Sequence, residues 1–413
     1  METEKQKITE ENIEKNIKKE VGVVEKPKSD KGWLIMLLVG MFTLMGGVAC
    51  VLVILLTPEE KKPDLVFPTI PSKTETSKIY SRLTGLEVAS EAELTAPAFC
   101  IQTPNGTDGA RPQAGLNEAG VVFEAIAEAG ITRFAAIYQN PASAVIGPIR
   151  SLRLYYLQWD TPFDCTIVHA GGADDALAAV RAGGYKDLTE NYTYMYRGGY
   201  SSRLWNNLFT TSTYLKQMND DWGYGGSDMK GFARMTPEES SKSRIDDTVS
   251  EKLAITKPST ANLSVLVPKV SEIAVRFGGL ASFNVNYTYN AATNTYARSY
   301  ESGASHDIYA CPAGDLGEVN PEDSCELRQL APSVVAVMMV EEQKADDNYH
   351  EDITAIGSGQ AYVFQNGIAM NGSWNKTSAA DQIKFYDENG SEIKLAPGQT
   401  FVEAVPTYGS IEF

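Results

Sequence analysis

Two arginine-bearing stretches carry the strongest chemical signal in the chain. GITRF and, further on, IGPIRSLR supply Arg133, Arg150 and Arg153, with Thr132 and Ser151 as nearby hydroxyls. A guanidinium presents a planar fork of donors that suits a carboxylate or a phosphate. Gly147 and Pro148 set Arg150 in or just after a turn, where a loop can offer it to a ligand. The competing expectation is internal. With 53 acidic residues in the chain, these arginines can pair with Glu124, Glu128 or Asp175 inside the protein.

A second constellation is TIVHAGGADDA. It reads as a strand ending at His169, a glycine turn and a helix starting near Asp174. His169 could act as acid or base, or join the arginines around an anion. The two acids already suit the helix dipole, so capping is the plainer reading. Glu124, in FEAIAEAG, is a lone carboxylate with three readings: general acid, ligand or structural partner. No second catalytic carboxylate stands at a recognisable spacing. Glu124 and His169 are therefore the catalytic candidates. Arg133, Arg150, Ser151, Arg153, His169 and Asn207 are the ligand-binding ones.

Two further clusters are weaker. DDNYHED (346–352) packs carboxylates around His350 but lacks EF-hand glycine and spacing, so a solvated acidic loop is expected. Tyr192, Tyr194, Tyr196, Tyr200, Trp205, Phe209 and Tyr214 crowd one region, as either a glycan- or peptide-binding face or packing under a long loop. With three histidines and no close cysteine pairs, no metal site is expected. GxGxxG, Walker, GxSxG and HExxH patterns are missing, so no cofactor is expected either.

The elements that must position these residues fall into blocks. Residues 1–32 form a polar tail with eight lysines and eight acids. Trp33 to Leu56 is a 24-residue stretch without a charge, long enough to cross a bilayer as a helix. Residues 57–79 are a proline-rich linker. From 80 to 235, short apolar runs alternate with helical patterns. Strands are expected at 98–102, 134–139 and 166–171, and helices at 174–184 and 212–220. Residues 116–130 show helical spacing at Ala119, Val122, Phe123, Ile126 and Ala127, although VVFEAI also reads as a strand. A polar stretch at 236–262 marks an expected domain boundary. From 263 to 413, β patterns prevail, with hairpin turns at Asn366-Gly367 and Asn389-Gly390. The fold class expected is α+β or mixed α/β, an anchored ectodomain with an α/β first part and a β-rich second.

Charge and cysteines bound the setting. The net charge is -17, all of it after the apolar stretch, which argues against nucleic-acid partners. Lys26, Lys28 and Lys31 before that stretch, against Lys61 and Lys62 after it, favour an inner N-terminus. Cys311 and Cys325 bracket a Pro- and Gly-rich loop and suit a disulfide of an oxidising compartment. Cys100 and Cys165 either pair or remain buried thiols.

From about Tyr80 onward the sequence resembles the YerB-like bacterial envelope lipoproteins, a family of uncharacterised function. The resemblance runs through LTGLEV (83–88), ARPQAGL (110–116), VVFEAIAEAGITRFAAIY (121–138), IGPIRSLRLYY (146–156) and HAGGADDALA (169–178). It continues in GSGQAYVFQNGIAMNGSWNKTS (357–378) and FYDENGSEIKLAPGQTFVEAVP (385–406). Two departures stand out. The family carries a lipoprotein signal, where this chain has an apolar span. A Pro-His-Asn-Leu-Tyr run of the family is WNNLF (205–209) here, with Asn206 at the histidine's place. The combined expectation is a single-pass plasma-membrane protein with its ectodomain outside. It would be a non-catalytic module for a cell-wall polymer or envelope protein. The alternatives are a hydrolase or transferase acting on such a polymer, and a membrane-tethered assembly scaffold. The sequence leaves the oligomeric state open.

Overall fold

The computed structural model describes residues 78–198, 204–244 and 270–413. The polar tail, the Trp33–Leu56 span, most of the linker, Tyr200 and most of the expected boundary lie outside the described residues. Among the described residues no helix is long and apolar enough to cross a membrane.

In the first half the strands of three residues or more are β1 (Ala98–Pro104), β2 (Val121–Glu128), β3 (Ile131–Gln139), β4 (Thr166–Val168) and β5 (Lys186–Leu188). The helices that pack on them are α1 (Leu154–Asp160), α2 (Asp174–Arg181) and α3 (Ser212–Trp222). The second half contributes β6 (Glu272–Arg276), β7 (Val285–Asn290), β8 (Thr295–Tyr300), β9 (Asp307–Ala310) and β10 (Glu326–Gln329). It continues with β11 (Val334–Val340), β12 (Glu342–Lys344), β13 (Glu351–Ile353), β14 (Gly357–Gln365) and β15 (Ile368–Lys376). It ends with β16 (Lys384–Asp387), β17 (Thr400–Pro406) and β18 (Ser410–Glu412).

Ten of these strands make one mixed sheet in the order β16-β15-β14-β11-β17-β2-β3-β1-β4-β5. The seam is β17, parallel to β11 on one side and to β2 on the other. The halves expected from composition therefore share one sheet, and Thr76–Phe413 form one compact unit. A second sheet, β8-β7-β6-β18, stacks on the β11–β17 region, where Val335, Val337 and Val405 meet Val275, Val285 and Tyr287.

The helical spacing in residues 116–130 gives way to strand. Only Leu116–Glu118 turns as a 3-10 helix, and β2 follows. Every β2 residue is buried, because both faces of the sheet are covered. Such a strand reads as a continuous apolar run without period-two alternation. Its glycine is a hairpin turn, with Ala129 and Gly130 both at positive φ, joining β2 to β3. Val121, Phe123 and Ala125 face a core closed by α1, where Phe123 stacks on Trp159 at 5.4 Å. Val122 faces the opposite core with Phe134, Phe401 and Leu215. The two expected helices are present as α2 and α3. The Thr211 hydroxyl caps α3 by accepting from Tyr214 N–H at 2.9 Å, and Gly223 stops it at φ 67°.

Candidate functional site

The arginines converge on one carboxylate. β2 ends at Glu128 and β3 begins with Ile131–Arg133, so the hairpin sets Glu128 and Arg133 on neighbouring strands. Arg133 Nη2 donates to Glu128 Oε1 at 2.6 Å, and Arg153 Nη2 donates to Oε2 at 2.5 Å. Arg133 Nη1 also donates to the Ser151 carbonyl at 2.7 Å, so Ser151 serves through its backbone. Burial favours the neutral carboxyl of Glu128, but the Arg133 and Arg153 charges outweigh it and hold the group below the ordinary range. Burial, with the like charge of Arg153, lowers Arg133 to about 10.

Arg150 differs. Gly147 has φ 143°, and a Cβ there would lie 2.9 Å from the Phe209 ring. The chain then enters the arginine segment with Arg150 N–H donating to the Gln102 carbonyl at 2.7 Å and the Arg150 carbonyl accepting from Ala170 at 3.0 Å. The Arg150 backbone is thus clamped between β1 and the β4 exit. Its guanidinium, half-buried, has no hydrogen-bond partner among the described residues and faces a pocket of about 270 Å³. Arg133 and Glu128 also line this pocket, with Asp108, Asn206, Trp205 and Tyr349. Burial lowers the Arg150 pKa, with Glu128 opposing and Arg153 reinforcing that shift.

Asn206 Nδ2 and Trp205 Nε1 each donate to Asp108 at 3.1 Å, which pins both residues to the pocket wall. Asn207 instead points its amide oxygen to Arg197 Nη1 at 2.9 Å and does not line the pocket.

His169 is not at the pocket. It is 1 % exposed, with Nδ1 at 2.7 Å from the Gly171 carbonyl and Nε2 at 2.9 Å from Asp187 Oδ1. It ties the turn before α2 to β5. Glu124 is also interior. It accepts from Thr132 Oγ1 at 2.6 Å and Asn105 Nδ2 at 3.1 Å, and its other oxygen contacts Arg298.

That contact opens a network which the sequence reading missed. Glu124 and Glu403 are register partners on parallel β2 and β17. Arg298 of β8 reaches both carboxylates, and its Nε donates to Tyr287 Oη at 3.0 Å. Tyr287 donates to Glu403 Oε1. Burial and the neighbouring Glu124 charge push Glu403 well above the ordinary carboxylate range. Glu403 is therefore the carboxyl that its surroundings drive toward the neutral form, and its Oε2 is buried without a hydrogen bond. His306 Nδ1 accepts from Arg298, and Nε2–H donates to Gln113 Oε1 at 3.0 Å. Burial and the Arg298 charge keep this imidazole neutral. Asn105 and Thr132 belong to this network and also line the pocket, so one polar wall serves both. The signal for it lay in carboxylates set inside apolar runs, VVFEAIAE and TFVEAVP, and in Arg298 at an inward position of TYARSY.

The acidic DDNYHED segment is the tip of the β12–β13 hairpin. Its Asp346, Asp347 and Asp352 face Asp174, Asp175 and Arg153 across a groove of about 430 Å³. Among the described residues no group of acids, histidines or cysteines is poised to hold a metal ion. Tyr349, from the same tip, turns to the arginine pocket. The tyrosine-rich segment is not one platform. Tyr194, Tyr196 and Phe209 are buried, while Trp205 reaches the pocket.

At the hairpin's base, burial raises Glu342 to about 7, and its Oε1 accepts from Tyr408 at 2.6 Å. Because the folded state binds this proton more tightly, the stabilisation is complete below pH 4.5 and is lost as pH rises to about 7. The shift alone would be worth about 3 kcal/mol, and solvent at this half-buried group reduces it to about 1–2 kcal/mol. Glu342→Gln is expected to flatten the decline in urea midpoint across that window. An unchanged pH slope would contradict the assignment.

Fold and pocket together define an α+β protein built on one long mixed sheet. Two family models match it, described as the N-terminal and C-terminal domains of "Protein of unknown function (DUF3048)", over residues 83–225 and 273–402. The chain belongs to this YerB-like family. It is 25% identical over 333 residues to "Putative lipoprotein YerB" of Bacillus subtilis (strain 168), covering 80% of this chain and 87% of that protein. The crystal structure of the Bacillus subtilis YerB protein shares the fold, with a TM-score of 0.62 at 22% identity, over 81% of this chain and all of the other.

Proposed function

We propose that this is a single-pass membrane protein of the bacterial envelope, whose outer part binds an anionic group of a cell-wall component or envelope protein without catalysis. The observation that carries the reading is Arg150. A half-buried guanidinium with no hydrogen-bond partner among the described residues, facing a pocket, is a donor set awaiting an acceptor. Arg133 and Arg153 add two charges against the one of Glu128. The Trp33–Leu56 stretch, two disulfides (Cys100–Cys165 and Cys311–Cys325) and the relative's name support an envelope setting. The interior positions of Glu124 and His169 support binding over catalysis.

The test is sedimentation of the purified protein with isolated cell walls. The wild type is expected to pellet, and Arg150→Ala to lose about tenfold in affinity, as removal of a charge-assisted contact would. Arg150→Lys is expected to recover part of it. Soluble wall fragments released by the protein would overturn the non-catalytic reading. Equal pelleting of wild type and Arg150→Ala would remove the pocket from it.

A further inference from the structure

We infer that the Arg150 pocket takes a saccharide bearing a single negative charge, an inference that rests on the anion-binding reading above. Three features of the pocket exceed what a bare anion uses. Two aromatic rings from opposite halves of the chain border it with much of their surface in solvent, Trp205 at 50% and Tyr349 at 57% exposure. Such rings bury the C–H faces of a pyranose and give an inorganic anion nothing. The pocket also offers an amide oxygen, which repels an anion, and a hydroxyl that both donates and accepts, and the pair suits sugar hydroxyls. Asn206 spends its amide nitrogen on Asp108 and keeps its oxygen, and the Tyr349 hydroxyl has no hydrogen-bond partner among the described residues. The charges close the case. Arg133 and Arg153 share Glu128, while Arg150, with no hydrogen-bond partner among the described residues, is left to offer one positive charge to a ligand. That matches one carboxylate or one phosphodiester. A volume of about 270 Å³ suits a single sugar ring with its substituent.

The full-length chain in detergent would be titrated with N-acetylmuramic acid, N-acetylglucosamine, lactate and dimethyl phosphate, and with glucose carrying a glycerol phosphodiester. Calorimetry and tryptophan fluorescence would be read together. The charged sugars are expected to bind about tenfold tighter than either the neutral sugar or the matching sugar-free anion. The tighter of the two charged sugars tells carboxylate from phosphodiester. Trp205→Ala is expected to lower the ratio of N-acetylmuramic acid to lactate affinity about tenfold, with Trp205→Phe recovering most of it. Tyr349→Ala, on an exposed hairpin tip, gives the same reading should Trp205→Ala fail to fold. Charged sugars binding no tighter than lactate and dimethyl phosphate would overturn the saccharide and leave the anion pocket standing. Absence of Arg150-dependent binding for every probe would overturn both.

Discussion

Glu124→Gln is expected to destabilise the protein by about 3–5 kcal/mol, while Glu403→Gln costs about 1 kcal/mol or less. The two carboxylates are sheet neighbours, both fully buried, and one guanidinium serves them. Two ionised carboxylates beside one arginine would leave a net buried charge, so one must be neutral. Glu403 takes that role, and glutamine reproduces a neutral group of its shape. Glutamine at position 124 leaves Arg298 without its counter-ion in the protein interior. Arg298→Met makes the converse orphan and should match the Glu124→Gln loss. Urea unfolding at neutral pH measures all three. Equal losses for the two glutamine variants would show that both carboxylates are ionised and would refute the assignment.

Removing the Cys100–Cys165 bridge, as Cys100→Ala/Cys165→Ala, is expected to cost about 4 kcal/mol. This bridge joins β1 to the start of β4 across 65 residues, whereas Cys311–Cys325 spans 14. Cross-linking a longer loop removes more freedom from the unfolded chain, so the shorter bridge is worth about 3 kcal/mol. The first pair also lies in the main core, with Cys100 opposite Ile137 on β3, so its loss carries a packing cost as well. Denaturant midpoints of the two double variants rank them. A larger loss from the Cys311–Cys325 pair would show that loop length does not govern here.

Much of the frame was legible in sequence. Alternation marks β7 and β8, where one face is buried and the other is not. Acids in the first turn mark α2, whose N-cap is Ala173 with no side-chain cap, and a threonine cap and a glycine stop mark α3. The reading strained at β2, because cover on both faces erases the alternation that names a strand. The site was legible in part. Arg133, Arg150 and Arg153 do cluster around Glu128, because a two-residue turn joins β2 to β3. Tyr349 and Asp108 join from loops distant in sequence, and no local pattern gives such a meeting. Asn206 rather than Asn207 reaches the pocket, a choice set by which neighbour bonds Asp108 and which bonds Arg197.

The position of β17 has a consequence for how the chain is made. Synthesis proceeds from the N-terminus, so β2 and β11 emerge before the strand that lies between them. Until residues 400–406 arrive, each presents a buried-type apolar strand with an open hydrogen-bonding edge, the form most prone to pair with a foreign chain. Folding therefore closes late, through contacts far apart in sequence, and is slow for the size of the protein. A chain cut short before Thr400 keeps every residue of the Arg150 pocket and loses the strand that joins its two halves, so a truncated translation product is an aggregation hazard rather than a weaker binder.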